Sequence, residues 1–262
     1  MRVALVYADA NESPECDRCS AARLAQMCAL LETRCVLALI ARSALSADIC
    51  RADLVLCAGG DGTLLETALF LRDTPLCGIR LIPERSVGFL CAFDYSELAS
   101  RLDSLLSGAL APRKMTRLDC LVDGVSLDVP FLNDVLLAHR CPARASRYEI
   151  SFGGVCQRQC SSGLWVATEQ GAQGGLHSAG GVVPDQPDGF AFCVRECARY
   201  APSEGGLIRT AAFDPALDAL QVKVLGEDMC LFGDGGLFVR DLSYGQTLTF
   251  RSHAASLSLF GK

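Results

Sequence analysis

The residues best suited to chemistry lie in one short turn, Gly59-Gly60-Asp61-Gly62-Thr63, between an apolar run and a helix-like pattern. Glycine adopts positive φ angles and has no Cβ, so an anionic group can approach the main chain closely here. At the carboxyl end of a strand, the first turn of the next helix adds free N–H groups and the positive end of its dipole. The pattern therefore predicts a turn that binds phosphate.

Asp61 places a carboxylate among these glycines. Beside bound phosphates a carboxylate is costly unless it has a task, which here would be to orient Mg²⁺ or to accept a proton from an attacking hydroxyl. Two better-known nucleotide signatures do not fit. No lysine follows the glycines as in a P-loop, and Leu65 stands where a dinucleotide motif has its third glycine. A tight turn with an aspartate N-cap is the ligand-free alternative.

The elements that must position this turn follow a strand-helix rhythm as far as residue 112. Apolar runs and helical periodicity predict strands at 3–7, 35–40, 54–58 and 75–79, and helices at 18–31, after Gly62 and at 95–110. This order predicts parallel strands with crossover helices. After Pro112, short strand-like segments separated by Gly, Pro or Asp predict a β-rich region, with one hairpin turn at Asp234-Gly235-Gly236.

We therefore expect an α/β N-terminal domain with a parallel, Rossmann-like sheet at residues 1–111 and a β-rich domain at residues 112–240. Residues 241–262 are expected to form a C-terminal tail that packs back on the first domain. The chain has 262 residues, of which 50% are hydrophobic, and this is enough to bury a large core.

Composition also limits the partners. The formal net charge of −6 gives no reason to expect nucleic acid. The N-terminal apolar run is too short for a signal peptide, and no apolar stretch approaches the ~18 residues of a bilayer span. We expect a soluble cytoplasmic protein with no membrane partner.

Fifteen cysteines are scattered without a repeating interval, which predicts small buried side chains in a reducing compartment. The C-x-x-C pair Cys16 and Cys19 lacks a second pair of the right spacing and a neighbouring histidine, so we expect no cysteine metal site.

The turn, followed by two leucines, resembles the NAD kinase family and its wider superfamily, which includes diacylglycerol-type lipid kinases and phosphofructokinases. A second segment, residues 131–137, resembles the family's second motif, with Asn133-Asp134 in place of the usual Asn-Glu. The resemblance implies that Asn133 and Asp134 bind hydroxyls of NAD. It also implies that Arg144 lies near the nucleotide and pairs with phosphate, and a solvated surface arginine is an equal alternative.

Residues 162–181 resemble the family's glycine-rich third motif in frame but not in its interior. The positions that match are Thr168, Gly171 and Ser178-Ala179-Gly180-Gly181. Ser162 replaces an expected acid, and residues 172–175 replace Ser-Thr-Ala-Tyr. The resemblance implies that Thr168 and Ser178 contact NAD, and the changed interior puts the choice of substrate in question. The segment between Gly78 and Gly88 is also longer than the family's compact turn.

The resemblance implies an NAD kinase-like fold and phosphoryl transfer from ATP, with Mg²⁺, to the 2′-hydroxyl of the adenosine ribose of NAD. Gly59, Gly60, Gly62 and Thr63 would bind phosphate, and Asp61 would accept the proton or lie near Mg²⁺. A homodimer or homotetramer is implied as well. The alternatives are a superfamily kinase of a sugar or lipid hydroxyl and a non-catalytic nucleotide-binding homologue. The sequence leaves open whether the acceptor is NAD or NADH and whether the donor is ATP or polyphosphate.

Overall fold

Two compact units make up the chain. The computed structural model describes residues 1–8, 14–198 and 208–261, and at residues 14–17 it describes the backbone alone. Unit 1 comprises Met1–Met115 and Ala255–Lys262, and unit 2 comprises Thr116–Ala254. The side chain of Cys16 lies outside the described residues, so the proposed absence of a C-x-x-C metal site stays a prediction.

The strands are numbered in chain order. They are β1 (Arg2–Tyr7), β2 (Val36–Ala41), β3 (Leu54–Gly59), β4 (Leu76–Arg80), β5 (Phe93–Asp94), β6 (Arg113–Met115), β7 (Leu118–Val122), β8 (Val125–Ser126), β9 (Asp134–His139), β10 (Ser146–Phe152), β11 (Val155–Ser161), β12 (Gly163–Thr168), β13 (Phe190–Arg195), β14 (Thr210–Phe213), β15 (Gln221–Val224), β16 (Met229–Gly233), β17 (Phe238–Leu242), β18 (Thr247–Ser252) and β19 (Leu257–Phe260).

The helices belong mostly to unit 1. They are α1 (Pro14–Glu32), α2 (Asp61–Phe70), α3 (Leu98–Leu106) and α4 (Gly175–Ser178), and short 3₁₀ turns lie at Arg42–Ala44, Ala47–Arg51, Tyr95–Glu97, Gly171–Gln173 and Asp234–Gly236. In the part of the chain that the structure describes, none of these helices has the length and apolar character needed to cross a membrane.

Unit 1 is built on a mostly parallel sheet with the order β2-β1-β3-β4-β19-β6, and β5 pairs with β4 beside this path. Only β6 runs antiparallel to its neighbour in the described sheet. Strand β3 has the sequence LVLCAG and is buried along nearly its whole length. A strand buried on both faces is typical of a parallel sheet covered by helices, which is the predicted α/β architecture.

The helix boundaries differ from the predicted ones for local reasons. Helix α1 begins at Pro14 rather than residue 18, because proline is favoured in the first helical turn. The predicted helix at 95–110 is a 3₁₀ turn followed by α3. A capping box between Asp94 and Glu97 marks its beginning, and Gly108, with φ of +77°, follows its end.

Unit 2 contains, within its described residues, antiparallel sheets of order β11-β10-β15-β18-β7-β8 and β14-β13-β12-β9-β16-β17. Both sheets contribute to one hydrophobic core, for example through Tyr148 and Ile150 of the first and Val135 and Val166 of the second. Edge-to-face aromatic pairs such as Phe152–Phe192, with centroids 5.2 Å apart, fill this core. The predicted β-rich region is confirmed.

The boundaries of the units differ from the predicted domains. Strand β6 extends unit 1 to Met115, and β18 pairs with β15 and β7 in unit 2. Only the last residues, with β19 between β4 and β6, join unit 1. The burial of the two strands also differs: β18 has two buried side chains, Leu248 and Phe250, among half-buried and exposed ones, whereas all four residues of β19 are buried.

The last strand should therefore matter to the stability of unit 1. Leu259 in β19 is 4% exposed and Leu39 in β2 is 51% exposed. We expect Leu259→Ala to lower the free energy of unfolding by about 2–5 kcal/mol, because it leaves a buried cavity. Leu39→Ala, the matched control in the same sheet, should cost about 1 kcal/mol or less. Urea unfolding measures both, and equal costs would contradict the placement of β19.

Candidate functional site

The glycine turn lies where β3 ends and α2 begins. None of Gly59, Gly60 and Gly62 has a positive φ angle, so the expectation that these glycines are needed for their φ angles was wrong. Gly59 and Gly60 are instead limited by space: a Cβ would lie 2.5 Å from Thr63 Oγ1 at the first position and 2.4 Å from Ser86 Oγ at the second. At Gly62 a Cβ would meet nothing within 4 Å. Neither conformation nor internal packing requires glycine there.

A cavity of about 370 Å³ opens beside this turn in unit 1. Its lining includes Gly59, Gly60, Gly62 and Thr63, the residues predicted to bind phosphate, together with Arg42, Arg85 and Ser86. The N-terminus of α2 contributes the positive end of a ten-residue helix. The guanidinium of Arg42 is held by Glu66 at 3.2 Å. Main-chain amides, two arginines and a helix dipole make this cavity suitable for an anion.

The carboxylate of Asp61 contacts a different part of unit 1. Its Oδ2 accepts the N–H of Phe89 at 3.0 Å, and its Oδ1 accepts the N–H of Leu90 at 2.8 Å. Asp61 is not among the residues that line the cavity. The main chain of the turn and the carboxylate of Asp61 therefore present two chemically distinct groups, one for phosphate and one for a proton or a cation.

In unit 2 the predicted NAD-binding residues gather where three strands meet. The end of β12 lies beside the start of β9, with Ala167 opposite Asp134, and the end of β16 lies on the other side, with Gly233 opposite Val135. This antiparallel register brings Asn133, Asp134 and Thr168 to the same edge of one sheet.

The backbone at the start of β9 is held from both sides. On one side the Asp234 carboxylate accepts the N–H groups of Leu132 at 2.9 Å, Asn133 at 2.8 Å and Asp134 at 3.2 Å. On the other side the Thr168 hydroxyl donates to the carbonyl of Leu132 at 2.7 Å, and the Thr168 N–H donates to the carbonyl of Asn133 at 2.9 Å. These bonds fix the backbone from which the Asn133 and Asp134 side chains project.

Gly171 completes this arrangement. Its N–H donates to the Thr168 hydroxyl at 3.2 Å, and a Cβ at Gly171 would lie 1.9 Å from the Asn133 carbonyl oxygen. The close approach of two backbones requires glycine at this position. Thr168, predicted to contact NAD, uses its hydroxyl within the protein, and it is 2% exposed.

The Asn133 side chain is left with an unused acceptor. Its Oδ1 is buried and has no hydrogen-bond partner, the single such side-chain atom in the described residues. A buried polar atom without a partner costs about 1–3 kcal/mol. The atom is therefore suited to accept a hydrogen bond from a ligand hydroxyl or amide.

Asp134 and Asp234 form a buried acidic pair with unequal environments. Burial, and then the negative charge of Asp234, raise the pKa of Asp134 to about 7. Burial raises the pKa of Asp234 to about 6, against the effect of the three N–H donors and the positive charge of Arg117. Because Asp234 has these compensating groups, Asp134 is the member of the pair that more readily holds a proton. A protonated carboxyl group can donate a hydrogen bond as well as accept one.

Two further predicted residues lie apart from this cluster. Arg144 is exposed in the connection between β9 and β10, where it lines a cavity with His139, Arg147 and Asp228. Strand β9 separates that connection from Asn133 by its length of six residues, about 20 Å. Within unit 2, Arg144 and Asn133 therefore lie at opposite ends of β9, and the contact of Arg144 with a nucleotide phosphate stays a prediction. Ser178 ends α4, and its exposed hydroxyl donates to the Gly174 carbonyl at 3.2 Å.

Comparison with known proteins identifies the family. No protein-family model matches the chain. The chain is 31% identical over 247 residues to a probable NADH kinase of Oryza sativa subsp. japonica, with 84% of this chain and 74% of that protein covered. It is 30% identical over 254 residues to an NADH kinase of Arabidopsis thaliana, with 84% and 76% covered. The chain belongs to the NAD kinase family.

Solved structures of NAD kinases share the fold. An NAD kinase from Archaeoglobus fulgidus in complex with ATP matches 99% of this chain and 93% of its own, with a TM-score of 0.72 and 21% identity. Yeast NADH kinase complexed with NADH matches 100% of this chain and 84% of its own, with a TM-score of 0.76 and 17% identity. The predicted NAD kinase-like fold is confirmed, and the chain is a phosphotransferase of this family.

Sequence reasoning missed Asp234 and Arg117 of this NAD kinase family member. Asp234-Gly235-Gly236 does form the predicted hairpin connection, between β16 and β17. The carboxylate of Asp234, however, is 1% exposed and faces residues about a hundred positions earlier in the chain. The position of this aspartate in a glycine-rich turn did not predict its burial or its distant partners. Arg117, 0% exposed, stands alone before an apolar strand and carried no signal.

The acidic pair generates a prediction about stability. The pKa of Asp134 is raised in the folded state, so the folded protein binds the Asp134 proton more tightly than the unfolded chain does. The stability that this group contributes is therefore complete below the unfolded pKa of about 4 and is lost as the pH rises through about 7. Asn cannot ionise, so the stability of Asp134→Asn relative to wild type should rise by about 1–3 kcal/mol between pH 5 and pH 8.

Urea unfolding at both pH values measures this difference, with Asp185→Asn as the control because Asp185 is exposed in the same unit. A relative stability of Asp134→Asn that does not rise between pH 5 and pH 8 would contradict the raised pKa of Asp134.

Proposed function

We propose that this protein transfers the γ-phosphoryl group of ATP to the 2′-hydroxyl of the adenosine ribose of NAD or NADH. The observation that carries the proposal is the buried, unpartnered Oδ1 of Asn133, which is followed in the chain by the buried carboxyl group of Asp134, whose pKa is raised to about 7. An acceptor next to a group that both donates and accepts is complementary to the vicinal hydroxyls of a ribose. The relatives from rice and Arabidopsis are named NADH kinases, which supports a dinucleotide acceptor.

In unit 1, the cavity beside the glycine turn is proposed to bind the phosphates of the donor. Gly59, Gly60, Gly62 and Thr63 supply main-chain and hydroxyl groups, and Arg42 lies on the same cavity. The A. fulgidus relative was crystallised with ATP, which supports ATP as the donor here.

Mg²⁺ is compatible with this donor site. No group of three or more His, Cys, Asp or Glu side chains suited to a metal occurs in the described residues. Mg²⁺ that enters with ATP takes most of its ligands from phosphate oxygens and water and needs one or two carboxylates at most, so the lone Asp61 fits. When bound, the ion would neutralise charge on the phosphates.

Asp61 is proposed to accept the proton of the attacking hydroxyl. The ribose 2′-oxygen forms a bond to the γ-phosphorus, the bond from that phosphorus to the β-γ bridging oxygen breaks, ADP leaves, and the proton passes to the carboxylate. Each oxygen of Asp61 accepts one main-chain N–H and keeps a further lone pair for this purpose. The two N–H bonds fix the carboxylate before the substrate arrives.

In unit 2, Asn133 and Asp134 are proposed to bind ribose hydroxyls, and Thr168 to hold their backbone rather than to contact NAD directly. Contacts of Arg144 and Ser178 with the nucleotide, the cytoplasmic location, and the dimer or tetramer stay predictions. A sugar or lipid acceptor and a non-catalytic role are the alternatives that the changed third motif left open.

Activity measurements separate these functions. We expect the phosphorylated dinucleotide to form from NAD or NADH with ATP and Mg²⁺. Polyphosphate is tested as the alternative donor, and a glycerolipid and hexoses are tested as alternative acceptors. Asp61→Asn should lower kcat about 10²- to 10⁴-fold, because it removes the proton acceptor. Asp48→Asn, at a carboxylate 73% exposed in the same unit, is the control. Wild-type turnover in Asp61→Asn would refute the assigned role.

Gly62 offers a second test, because its substitution should affect the ligand and not the fold. A Cβ there meets nothing within 4 Å, and alanine favours the first turn of α2 by about 0.5–1 kcal/mol. We expect Gly62→Ala to unfold at the same or higher urea concentration while its KM for ATP rises about tenfold or more. Unchanged KM in this variant would show that no phosphate approaches Gly62.

A further inference from the structure

We propose that Arg80 is a positioning residue for Asp61: it fixes the loop whose main-chain N–H groups orient the Asp61 carboxylate. The loop spans residues 81–92 and joins β4 to β5 in unit 1. It includes the segment that is longer than the compact turn of the NAD kinase family. This inference rests on the proposed role of Asp61.

Arg80 is anchored first to the sheet. It ends β4, and Asp94, which ends β5, is its partner in the parallel register. The guanidinium makes a two-pronged pair with the Asp94 carboxylate, with Nε–Oδ1 at 2.6 Å and Nη2–Oδ2 at 2.9 Å. The two side chains are 19% and 27% exposed. Asp94 is itself fixed, since its N–H donates to Glu97 in the capping box before α3.

The same guanidinium then holds the loop. Its Nη1 donates to the carbonyl of Ser86 at 3.1 Å and to the carbonyl of Val87 at 2.9 Å. The next residue, Gly88, has φ of +62°, and a Cβ there would lie 2.4 Å from Arg80 Cδ. The loop backbone thus packs against the stem of the arginine and bonds to its head, directly before the two residues that contact Asp61.

The last step leads from the loop to the carboxylate. Phe89 and Leu90, the first residues after Gly88, donate the N–H groups that Asp61 accepts. Ser86 secures the other side of the loop: its Oγ accepts the Gly88 N–H at 3.1 Å and occupies the space that a Cβ at Gly60 would need. A continuous series of bonds therefore joins Asp94 through Arg80 and the loop to Asp61.

Arginine is required for this arrangement by its shape. The guanidinium has five N–H donors in a planar fork, and here it serves a carboxylate in one direction and two carbonyls in another. A lysine ammonium is a single point with three donors, and it cannot reach both groups at once. Arg80→Lys keeps the charge and removes the bridge, so it tests geometry rather than electrostatics.

The matched control is Arg34→Lys. Arg34 also lies in unit 1 and also bonds to a carboxylate and a carbonyl, those of Asp103 and Leu30. Within the described residues, these bonds lead neither to the loop nor to the glycine turn. In Arg80→Lys we expect kcat to fall about 10- to 100-fold, with KM for the dinucleotide within about twofold of wild type, because a displaced base affects the transition state alone. Arg34→Lys should change neither constant.

Amide hydrogen exchange supplies a readout that does not depend on activity. The Phe89 and Leu90 amides should exchange at least about tenfold faster in Arg80→Lys than in wild type, because the loop that carries them is released. Core amides of β3 should keep their wild-type rates, which would show that the variant is folded. Unchanged exchange at Phe89 and Leu90 would overturn the proposal.

A double-mutant cycle shows whether Arg80 acts through Asp61. If it does, Arg80→Lys should lower kcat in the wild-type background and cause no further loss in Asp61→Asn. An equal loss in both backgrounds would overturn the positioning role and leave the proposed function intact. Wild-type turnover in Asp61→Asn would instead refute the proposed role of Asp61 itself.

Asp94→Asn approaches the same series of bonds from its other end and serves as a second variant. The amide oxygen can still accept one N–H of Arg80, so we expect a fall in kcat and a rise in Phe89 exchange of the same sign as in Arg80→Lys and smaller. A folded Asp94→Asn protein with wild-type kcat and wild-type exchange would contradict the bridge.

Discussion

Carboxylates that accept main-chain N–H groups determine the geometry of both candidate sites. Asp234 accepts three such groups at the start of β9, and Asp61 accepts two from the loop after β4. A charged acceptor makes hydrogen bonds about twice as strong as neutral ones, and its two oxygens fix the direction of consecutive peptide groups. In unit 2 the carboxylate of Asp234 holds the backbone of Asn133 and Asp134, and in unit 1 the backbone of the loop holds the carboxylate of Asp61.

The departures from the family motifs can be interpreted from this geometry. In the third motif, Thr168 and Gly171 are retained, and these residues touch the backbone of Leu132 and Asn133. The altered residues 172–175 lie beyond that contact, at the end of a 3₁₀ turn and the start of α4. Thr168 and Gly171 thus hold the backbone of the second motif, whereas residues 172–175 do not contribute to these contacts. The long loop after β4 also retains one part of the family pattern, Gly88-Phe89-Leu90, and in that part Phe89 and Leu90 contact Asp61.

Sequence reasoning predicted what depends on local pattern. The alternation of strands and helices before residue 112, the β-rich region after it, and the glycine turn before α2 all followed from periodicity and turn residues. The hydrogen-bond partners of Asp234 and Arg80 could not be predicted in this way, because the carbonyls, amides and carboxylates involved come together only in the folded chain. The reason for Gly59 and Gly60 was equally invisible, since it is the space taken by Thr63 and Ser86 and not the φ angle. The assignment of β18 and β19 to different units depended on pairing between distant strands.

Three of the residues proposed to bind the substrates fit poorly within the protein alone. Asn133 leaves a buried oxygen without a partner, Asp134 keeps a carboxyl in a place where its charged form is disfavoured, and Gly62 lies in the first turn of α2, where alanine would fit. Each feature costs stability by a separate physical mechanism, through a missing hydrogen bond, desolvation or backbone entropy. Natural sequences are otherwise consistent across these levels, so local conflicts point to function. A bound ribose would supply the hydrogen bond that the Asn133 oxygen lacks, and a bound phosphate would occupy the space left open at Gly62. The proposed ligand chemistry therefore accounts for conflicts that folding alone does not.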